Sequence, residues 1–309
     1  MIPFDRVVVV GIGLLGGSWA LALRRAGFPG RIVGVDPDPR AVAALDAGAV
    51  DELLARALQP GDLRAGDLAV LAAPVGVSTS LAADIGATIP AGVVVTDVGS
   101  VKRAVCSAWT AHIPPGGGRF VGGHPMAGSH RSGFAAARAD LFDDVPYYLV
   151  TGPDAIGLDP IGLDPIGQDA ISDDPASTQA GAKVVATVTA LGARAVLVDP
   201  AAHDRSVAVT SHVPQLLSWA LDAMVRDALP ALPGGPGLAD MTRLAASDRR
   251  LWEDVLVANA DELLQPLTDL IDRLAAARGA LADLDHARLS AALAPTSLVR
   301  GRQPAAVVR

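Results

Sequence analysis

The feature that most constrains this chain is a glycine-rich turn between an apolar strand and an apolar helix near the N-terminus. Residues 6–11 read RVVVVG, a β-branched run typical of a strand that is buried on both faces. A helical stretch over 14–26 follows, and RIVGVD over 31–36 predicts a second strand. Strand, helix and strand in this order form a βαβ unit, whose crossover is almost always right-handed.

The turn has the spacing GxGxxG, formed by Gly11, Gly13 and Gly16. In this pattern the first glycine permits the tight turn, the second lets the backbone approach a pyrophosphate, and the third lets the helix pack on the strand. The N–H groups of the first helical turn, at Leu14 and Leu15, would bind the phosphates together with the positive end of the helix dipole. The alternative is a purely structural βαβ unit.

An acidic residue follows at the expected distance. Asp36 ends the second strand, 20 residues beyond Gly16. A carboxylate there can accept hydrogen bonds from a ribose diol and would repel a 2′-phosphate, which predicts NAD rather than NADP. Arg40 lies close enough to complicate this preference. Pro74, at the end of a later apolar run, is a further candidate for contact with the cofactor.

The alternation of strands and helices continues to about residue 199. Further strands are predicted over 68–74, 92–97, 120–122, 147–151 and 193–199. The first domain, 1–199, is therefore predicted to be a doubly wound, mostly parallel sheet of the Rossmann type. Residues 156–167 repeat with a five-residue period rich in Gly and Pro, which predicts an exposed inserted loop over about 153–175.

After residue 200 the pattern changes to alanine and leucine at helical spacing. Helices are predicted over 201–229, 250–276 and 279–293. The fold class is thus α/β followed by an all-α domain over 200–309, whose apolar faces form its own core or a homodimer interface. The tail from residue 295 lacks periodicity and is expected to be mobile.

Charge and composition indicate which partners and which cellular compartment to expect. The net charge of -8 and the pI near 5.1 argue against nucleic acid as the main partner. The uncharged run over 7–23 has the length of a signal peptide, but it contains four glycines and no cleavage site follows, so no membrane association is predicted. The single cysteine, Cys106, cannot form an intrachain disulfide, which favours a cytoplasmic protein. No metal site is predicted.

Two polar residues fall where predicted strands end, at the sheet edge where ligands bind in such folds. His124 lies in GGHPMAGSHRSG (122–133), and Ser100 lies in DVGS (97–100). Because histidine titrates near neutrality, His124 suits general acid–base chemistry, although it also fits an ordinary loop residue. Ser100 also suits the N-cap of a helix over 101–111, and Lys102 suits the solvated face of that helix.

At this point the chain resembles a known family. GIGLLGGSWALAL (11–23), DVGSVK (97–102), GGHPMAGSHRSG (122–133), HDRSVAVTSHVPQLL (203–217) and DMTRLAASDRRLWEDVLVAN (240–259) are similar to motifs of the prephenate/arogenate dehydrogenase family, in the same order. The resemblance covers nearly the whole chain except the 156–167 loop and the tail. It implies an oxidoreductase of tyrosine biosynthesis that uses NAD.

The family's site residues carry over by motif. The resemblance implies that His124 takes the proton of the ring 4-hydroxyl as hydride leaves, and that Ser100 shares that hydroxyl. It also implies that Arg243 binds a substrate carboxylate, for which a bidentate guanidinium is apt. His212 and Trp252 match residues of the substrate pocket. Without the resemblance, Arg243 would be an ordinary surface charge, and His212 and Trp252 would be core residues.

The remaining candidates for substrate binding are Ser129 and His130, and His130 departs from the family pattern. Many members have glutamate at that position, a lysine where Ala239 stands, and a histidine where Gln215 stands. These differences leave the hydride chemistry intact and put recognition of the substrate side chain in question. The remaining histidines, His112, His203 and His286, have no context that predicts a role beyond a surface or helix-start position.

Four hypotheses follow. The leading one is an NAD-dependent prephenate dehydrogenase that makes 4-hydroxyphenylpyruvate, and its nearest rival is an arogenate dehydrogenase that makes tyrosine. A β-hydroxyacid dehydrogenase would need a lysine in the helical domain, and no lysine follows Lys183. A non-catalytic NAD-binding protein would have no use for His124, Ser100 and Arg243. We expect a small-molecule substrate and a homodimer formed through the helical domain.

Overall fold

The computed structural model of the chain describes residues 1–129, 131–150, 175–228 and 234–294. By its contacts the chain divides into two compact units, Met1–Ala260 and Asp261–Arg309. The predicted boundary at 199–200 falls between a strand that ends at Leu197 and a helix that begins at Pro200, and the first unit continues beyond it. The division at residue 199 therefore stays a prediction. The 156–167 repeat, nearly all of the inserted loop and the C-terminal tail lie outside the described residues.

The strands of the described residues form one eight-stranded sheet. They are β1 Arg6–Val10, β2 Arg31–Val35, β3 Glu52–Leu54, β4 Asp67–Leu71, β5 Val94–Asp97, β6 Arg119–Pro125, β7 Pro146–Val150 and β8 Arg194–Leu197. The order is β3-β2-β1-β4-β5-β6-β7-β8, and every neighbouring pair is parallel except β6 and β7. The predicted doubly wound, mostly parallel sheet is confirmed. The sequence does not predict β3, because three residues are too few to show a periodicity.

The strand order positions the functional edge of the sheet. The chain moves outward from β1 to β2 and β3 on one side and continues from β4 on the other, so a crevice lies beyond the carboxyl ends of β1 and β4. Gly11 directly follows β1, Asp97 ends β5, and His124 lies near the end of β6. Parallel strands therefore deliver all three residues to the same edge.

The described residues also form eleven α-helices. They are α1 Leu14–Arg25, α2 Val42–Asp46, α3 Val75–Ile85, α4 Arg103–His112, α5 Pro175–Ala190, α6 Pro200–Val207, α7 Val213–Ala228, α8 Pro236–Thr242, α9 Arg249–Ala258, α10 Ala260–Ala282 and α11 His286–Leu293. Along β1, Val7 and Val9 join a core that includes Trp19 of α1. Val8 and Val10 join a second core that includes Trp109 of α4. The β-branched run is thus buried on both faces, as its composition predicts.

The helices after residue 200 begin and end at other positions than the sequence pattern predicts. The predicted break between 276 and 279 is wrong, since the helix continues to Ala282. The stretch over 201–229 is divided by one π-helical turn, Ala208–His212, and the stretch over 250–276 is divided at Asn259. Asn259 leaves the helical conformation at the end of α9, and its side-chain amide donates to the backbone carbonyl of Asp204 at 2.9 Å. The helix is therefore interrupted where Asn259 bonds to a distant residue, although the apolar periodicity of the sequence continues through this point. Within the described ranges, none of the helices is both long enough and apolar enough to cross a lipid bilayer.

Candidate active site

The glycine-rich turn has distinct steric requirements at its three glycines. Gly11 adopts a φ of 89°, and a Cβ there would lie 2.5 Å from the carbonyl oxygen of Ala72. A Cβ on Gly16 would lie 1.9 Å from the carbonyl oxygen of Gly11, so α1 can pack on β1 only through a glycine. A Cβ on Gly13 would meet no atom within 4 Å. The fold requires Gly11 and Gly16, whereas the space beside Gly13 is open.

The start of α1 and the end of β2 complete this region. Gly13 caps α1 without a side chain, so the N–H groups at Leu14 and Leu15 have no side-chain acceptor. The Asp36 carboxylate accepts hydrogen bonds from the backbone N–H groups of Ile12 (2.7 Å) and Asp38 (2.8 Å). These two bonds fix the carboxylate beside the turn. The residues present therefore fit the pyrophosphate and ribose of a dinucleotide.

Arg40, which complicated the choice between NAD and NADP, is paired elsewhere. Its Nε donates to both carboxylate oxygens of Asp38, at 3.0 and 2.9 Å. The Arg40 guanidinium lowers the pKa of the Asp38 carboxyl to about 2. The Arg40 guanidinium is thus paired with Asp38, while the Asp36 carboxylate bonds to the backbone of the turn.

His124 belongs to a strand rather than to a loop. The sequence predicts that the strand ends at residue 122, but β6 continues to Pro125, and His124 pairs with Tyr148 of β7. Its side chain is only 8% exposed. A Cβ on Gly123 would lie 2.5 Å from the carbonyl oxygen of Asp97, so β6 needs glycine to lie this close to the end of β5. The two glycines that obscure the strand in the sequence are what allow His124 to be buried.

A chain of hydrogen bonds joins His124 to a second histidine and a carboxylate. His124 Nδ1 lies 2.8 Å from His203 Nε2, and His203 Nδ1 lies 2.8 Å from Asp204 Oδ1. A carboxylate can only accept, so His203 carries its proton on Nδ1 and offers a lone pair at Nε2. His124 must then donate from its own Nδ1. The partners therefore leave the His124 Nε2 lone pair free, as a base requires.

Both imidazoles are neutral at physiological pH. Burial, with smaller contributions from His203 and Lys102, lowers the pKa of His124 well below its ordinary value. Burial also lowers the pKa of His203, although the hydrogen bond to Asp204 opposes that change. For Asp204, burial raises the pKa, but the hydrogen bonds from His203 and two backbone N–H groups lower it overall. The hydrogen-bond directions require neutral His124 and His203 and an ionised Asp204, and these pKa shifts favour that charge state.

Asp204 also caps helix α4 from another part of the chain. Its Oδ1 accepts from the backbone N–H of Lys102 at 2.7 Å, and its Oδ2 accepts from that of Arg103 at 2.9 Å. Helix α4 has Lys102, not Ser100, at its N-cap position, with no side-chain cap of its own. The predicted capping role of Ser100 is therefore wrong. Ser100 is partly buried, and among the described residues no hydrogen bond joins it to His124.

His212 and Trp252 lie against one another in the helical part of the first unit. Their rings meet edge to face, with centroids 5.8 Å apart. The Asn259 amide lies 3.2 Å from His212 Nδ1 and donates to it, so the His212 proton is on Nε2. That buried N–H has no hydrogen-bond partner among the described residues. Burial lowers the pKa of His212 to about 4, so the ring is a neutral donor.

Arg243 is exposed on a 3₁₀ turn, Arg243–Ala246, that follows α8. This turn is fixed against α7, since the Gln215 amide donates to the Leu244 carbonyl at 2.8 Å and the Trp219 indole to the Ala245 carbonyl at 3.1 Å. The structure therefore holds the backbone of Arg243 and leaves its side chain accessible.

The remaining predicted site residues are Ser129, Pro74 and His130. Ser129 is exposed, and its hydroxyl accepts from the backbone N–H of Arg131 at 3.1 Å. Pro74 precedes the first turn of α3. His130 lies outside the described residues.

His203, Asp204 and Lys102 are the residues of this cluster that sequence reasoning misses. The sequence predicts only a helix-start position for His203, which is correct for the backbone: Asp199 caps α6 and Pro200 is its first residue. The prediction that Lys102 lies on a solvated face is wrong, because its side chain is fully buried. The signal in the sequence is a His-Asp pair, 203–204, within a helix that begins with proline. This pair does not show which residue the histidine contacts.

Comparison with known proteins identifies the family. A family model described as "Prephenate dehydrogenase, nucleotide-binding domain" matches residues 19–155, and one described as "Prephenate dehydrogenase, dimerization domain" matches residues 199–295. The first match begins after the glycine-rich turn of residues 11–16.

Characterised relatives and a solved structure agree with these matches. The chain is 31% identical to the prephenate dehydrogenase of Bacillus subtilis over 86% of this chain and 67% of that protein. It is 31% identical to the cyclohexadienyl dehydrogenase of Zymomonas mobilis over 92% and 91% of the two chains. The structure of Aquifex aeolicus prephenate dehydrogenase in complex with hydroxyphenyl propionate and NAD+ superposes with a TM-score of 0.76, at 26% identity over 93% and 94% of the chains.

The resemblance predicted from the sequence motifs is confirmed over both halves of the chain, and the fold is that of the same family. The chain belongs to the prephenate dehydrogenase family of oxidoreductases.

Proposed function

We propose that this chain catalyses the NAD-dependent oxidative decarboxylation of prephenate to 4-hydroxyphenylpyruvate in tyrosine biosynthesis. The observation that carries the proposal is the hydrogen-bond chain from Asp204 through His203, which leaves a free lone pair on Nε2 of a neutral His124. A base of this kind, at the edge of the sheet that also carries the glycine-rich turn, suits the removal of a hydroxyl proton during hydride transfer.

The cofactor site of this proposal consists of residues that already fit a dinucleotide. The open space at Gly13 and the uncapped N–H groups at Leu14 and Leu15 would hold the pyrophosphate, and Asp36 would hold the adenosine ribose. Pro74 would contact the cofactor from the start of α3. The anchored Asp36 carboxylate favours NAD over NADP. When bound, NAD supplies the acceptor for the hydride.

His124 would accept the proton of the ring 4-hydroxyl while the hydride leaves the carbon that carries it. The carbon–oxygen single bond becomes a carbonyl, and the ring carboxylate then departs as carbon dioxide. The electron pair of the broken carbon–carbon bond makes the ring aromatic and leaves a phenolate, which takes a proton back. The protein's part is to align the hydroxyl with Nε2 and to stabilise the imidazolium through His203 and Asp204. Ser100 would share the hydroxyl from the end of β5.

The helical part of the first unit would bind the acidic groups of the substrate. His212 presents a neutral N–H donor that lacks a partner among the described residues, and Trp252 packs against its ring. Arg243 offers a guanidinium on a fixed turn, which suits a bidentate bond to a carboxylate. Ser129 and His130, which follow His124 in sequence, would contribute from the β6–β7 connection.

Arg243→Ala should raise the KM for the substrate about ten- to hundredfold, the loss expected for one charge-assisted hydrogen bond to a carboxylate. The KM for NAD should not change. Steady-state kinetics with each substrate varied in turn measures both constants. Arg250→Ala, which removes an exposed arginine from the following helix, is the matched control. A substrate KM that stays at the wild-type value in Arg243→Ala would rule out this role.

The choice of substrate needs a direct assay. Prephenate carries a ketone and arogenate an ammonium on the side chain, and the relatives include a cyclohexadienyl dehydrogenase. We expect reduction of NAD with prephenate, together with stoichiometric 4-hydroxyphenylpyruvate, when prephenate and arogenate are each tested with NAD and NADP. Turnover of arogenate alone would identify the chain as an arogenate dehydrogenase. No turnover in any combination would favour a non-catalytic NAD-binding protein.

We also propose a homodimer formed through the helical region that matches the dimerization domain. Helix α10 presents four large apolar side chains to solvent at helical spacing, Leu264, Ile271, Leu274 and Leu281. An exposed apolar stripe of this length is typical of an interface. Sedimentation equilibrium should give twice the mass of the 31.4 kDa chain. Leu274→Glu should shift the protein toward the monomer, and a wild-type monomer at assay concentrations would refute the proposal.

A further inference from the structure

Lys102 is a fully buried lysine at the base of the candidate site. The sequence contains two lysines, Lys102 and Lys183. A lysine side chain is rarely fully buried unless it is paired with an opposite charge. Its Nζ donates to the Asp97 carboxylate and to the carbonyl of Gly123, the latter at 2.7 Å. Asp97 in turn accepts from the backbone N–H of Gly123 at 2.8 Å. Both backbone polar groups of Gly123, the residue before His124, are therefore held by one ion pair.

The backbone of the same residue reaches the other end of the histidine pair. The Lys102 N–H donates to Asp204 Oδ1 at 2.7 Å, and this oxygen is the one that accepts from His203 Nδ1. The Lys102 side chain thus contacts Gly123 and Asp97 beside His124. Its main-chain N–H contacts Asp204, the partner of His203. None of the other described residues makes both kinds of contact.

The glycines of β6 provide the room for this arrangement. A Cβ on Gly122 would lie 2.8 Å from Cys106 Sγ and 3.5 Å from Lys102 Cδ, so these side chains would have to shift. A Cβ on Gly123 would lie 2.5 Å from the Asp97 carbonyl oxygen. The absence of side chains at Gly122 and Gly123 therefore leaves room for the Lys102 side chain next to this strand.

The Lys102 ammonium also acts on the charge of His124. Together with burial and His203, it lowers the pKa of the imidazole. The ionisable groups around His124 on the neighbouring elements are Asp97 of β5, Lys102, Arg103 and Cys106 at the start of α4, Tyr148 of β7, His203 and Asp204 of α6, and His212 of the π-helical turn. Burial raises the pKa of the Cys106 thiol to about 12, so the thiol stays uncharged.

We propose that Lys102 is a positioning residue, which holds both ends of the His124–His203 pair. The role rests on the proposed function, because it assigns Lys102 to the reaction for which His124 is the base. Lys102 itself touches neither substrate nor cofactor in this assignment. Its effect is transmitted through Gly123 and Asp204.

The test uses the paired variant Lys102→Met with Asp97→Asn. Lys102→Met alone would leave a buried carboxylate without a cation, and the loss of folding that follows would not be informative. In the paired variant we expect kcat to fall about 10²-fold, the cost of a misplaced base, with an unchanged KM for NAD. The acid limb of the kcat/KM profile should move to higher pH, because Lys102 lowers the pKa of His124, whereas the Asp97 carboxylate that is lost with it is not among the groups that act on that pKa. Lys183→Met, which removes the other lysine far from this cluster in sequence, is the matched control and should leave both quantities unchanged.

A second readout does not depend on turnover. Histidine labelled with ¹⁵N reports the tautomer and the pKa of each imidazole in the free enzyme by NMR. We expect His124 to be protonated only on Nδ1 in the wild type and to populate both tautomers, with a raised pKa, in the paired variant. If neither prephenate nor arogenate is turned over, the proposed function fails while this spectrum still decides the role of Lys102. An acid limb and a His124 spectrum that both stay at their wild-type positions would overturn the inference and leave Lys102 a purely structural residue.

Discussion

Replacing His124 with asparagine should lower kcat about 10²–10⁴-fold, the range expected when a general base is lost. Asparagine can keep a hydrogen bond to His203 and fits the same buried position, but it has no nitrogen that can take up a proton. In the proposed function the pyrophosphate and the adenosine ribose would bind at the glycine-rich turn and Asp36, away from His124, so the affinity for NAD should not change. Initial rates of NADH formation at saturating substrate, together with NAD binding followed by fluorescence, measure the two effects separately.

His112→Asn is the control for this variant. His112 is an exposed histidine at the end of α4, and its Nδ1 bonds only to the carbonyl of its own helix, 2.7 Å away at Ala108. Turnover in His112→Asn should equal that of the wild type. Near-normal turnover in His124→Asn would remove His124 from the mechanism, whatever substrate the enzyme uses.

Asp204→Asn should produce the second largest loss, about 10²–10⁴-fold in kcat, although the residue does not touch the substrate. An amide has one acceptor where the carboxylate has two, and three N–H groups point at Asp204, from His203, Lys102 and Arg103. If the amide nitrogen faces His203, it donates to Nδ1 and reverses the tautomers of both histidines. His124 Nε2 would then carry a proton and could not act as a base. A wrong tautomer of this kind costs a catalytic triad of serine proteases about 10⁴-fold.

The matched control for this substitution is Asp199→Asn on the same helix. Asp199 caps α6 by accepting from the N–H of Ala202 at 2.8 Å, and asparagine is an equally good N-cap. Asp199→Asn should therefore retain both stability and turnover. We expect ¹⁵N NMR of Asp204→Asn to show the altered histidine tautomer directly. Full activity in Asp204→Asn, with the tautomer unchanged, would show that the carboxylate is only a cap for α4.

The cofactor half of this protein is predictable from sequence because its determinants are local. The β-branched run of β1, the spacing of Gly11, Gly13 and Gly16, and the acid at Asp36 all lie within one βαβ unit. Each has a backbone or steric cause that does not depend on distant residues, such as the close approach of Gly16 to the Gly11 carbonyl. The sequence therefore predicts both the fold of this half and the residues around the turn.

The reaction half is not predictable in the same way, because its contacts join distant parts of the chain. His124 and His203 are 79 residues apart, and Lys102 and Asp204 are 102 apart. Nothing in the local pattern of 200–207 distinguishes a histidine that orients a base from one at an ordinary helix start. For the same reason Lys102 looks like a surface residue in its own helix, since the carboxylate and the strand that bury it come from elsewhere.

The most direct test of the account is the pH dependence of kcat/KM for the wild-type enzyme, which reports the ionisation of the free enzyme. His124 must be neutral to accept a proton, and its burial lowers its pKa. The rate should therefore stay on its plateau as the pH falls through 6.5, the ordinary value for histidine, and decline only at lower pH. This acid limb should disappear in the residual activity of His124→Asn. A limb centred at or above pH 6.5, or one that persists unchanged in His124→Asn, would contradict the claim that a buried, neutral His124 is the base.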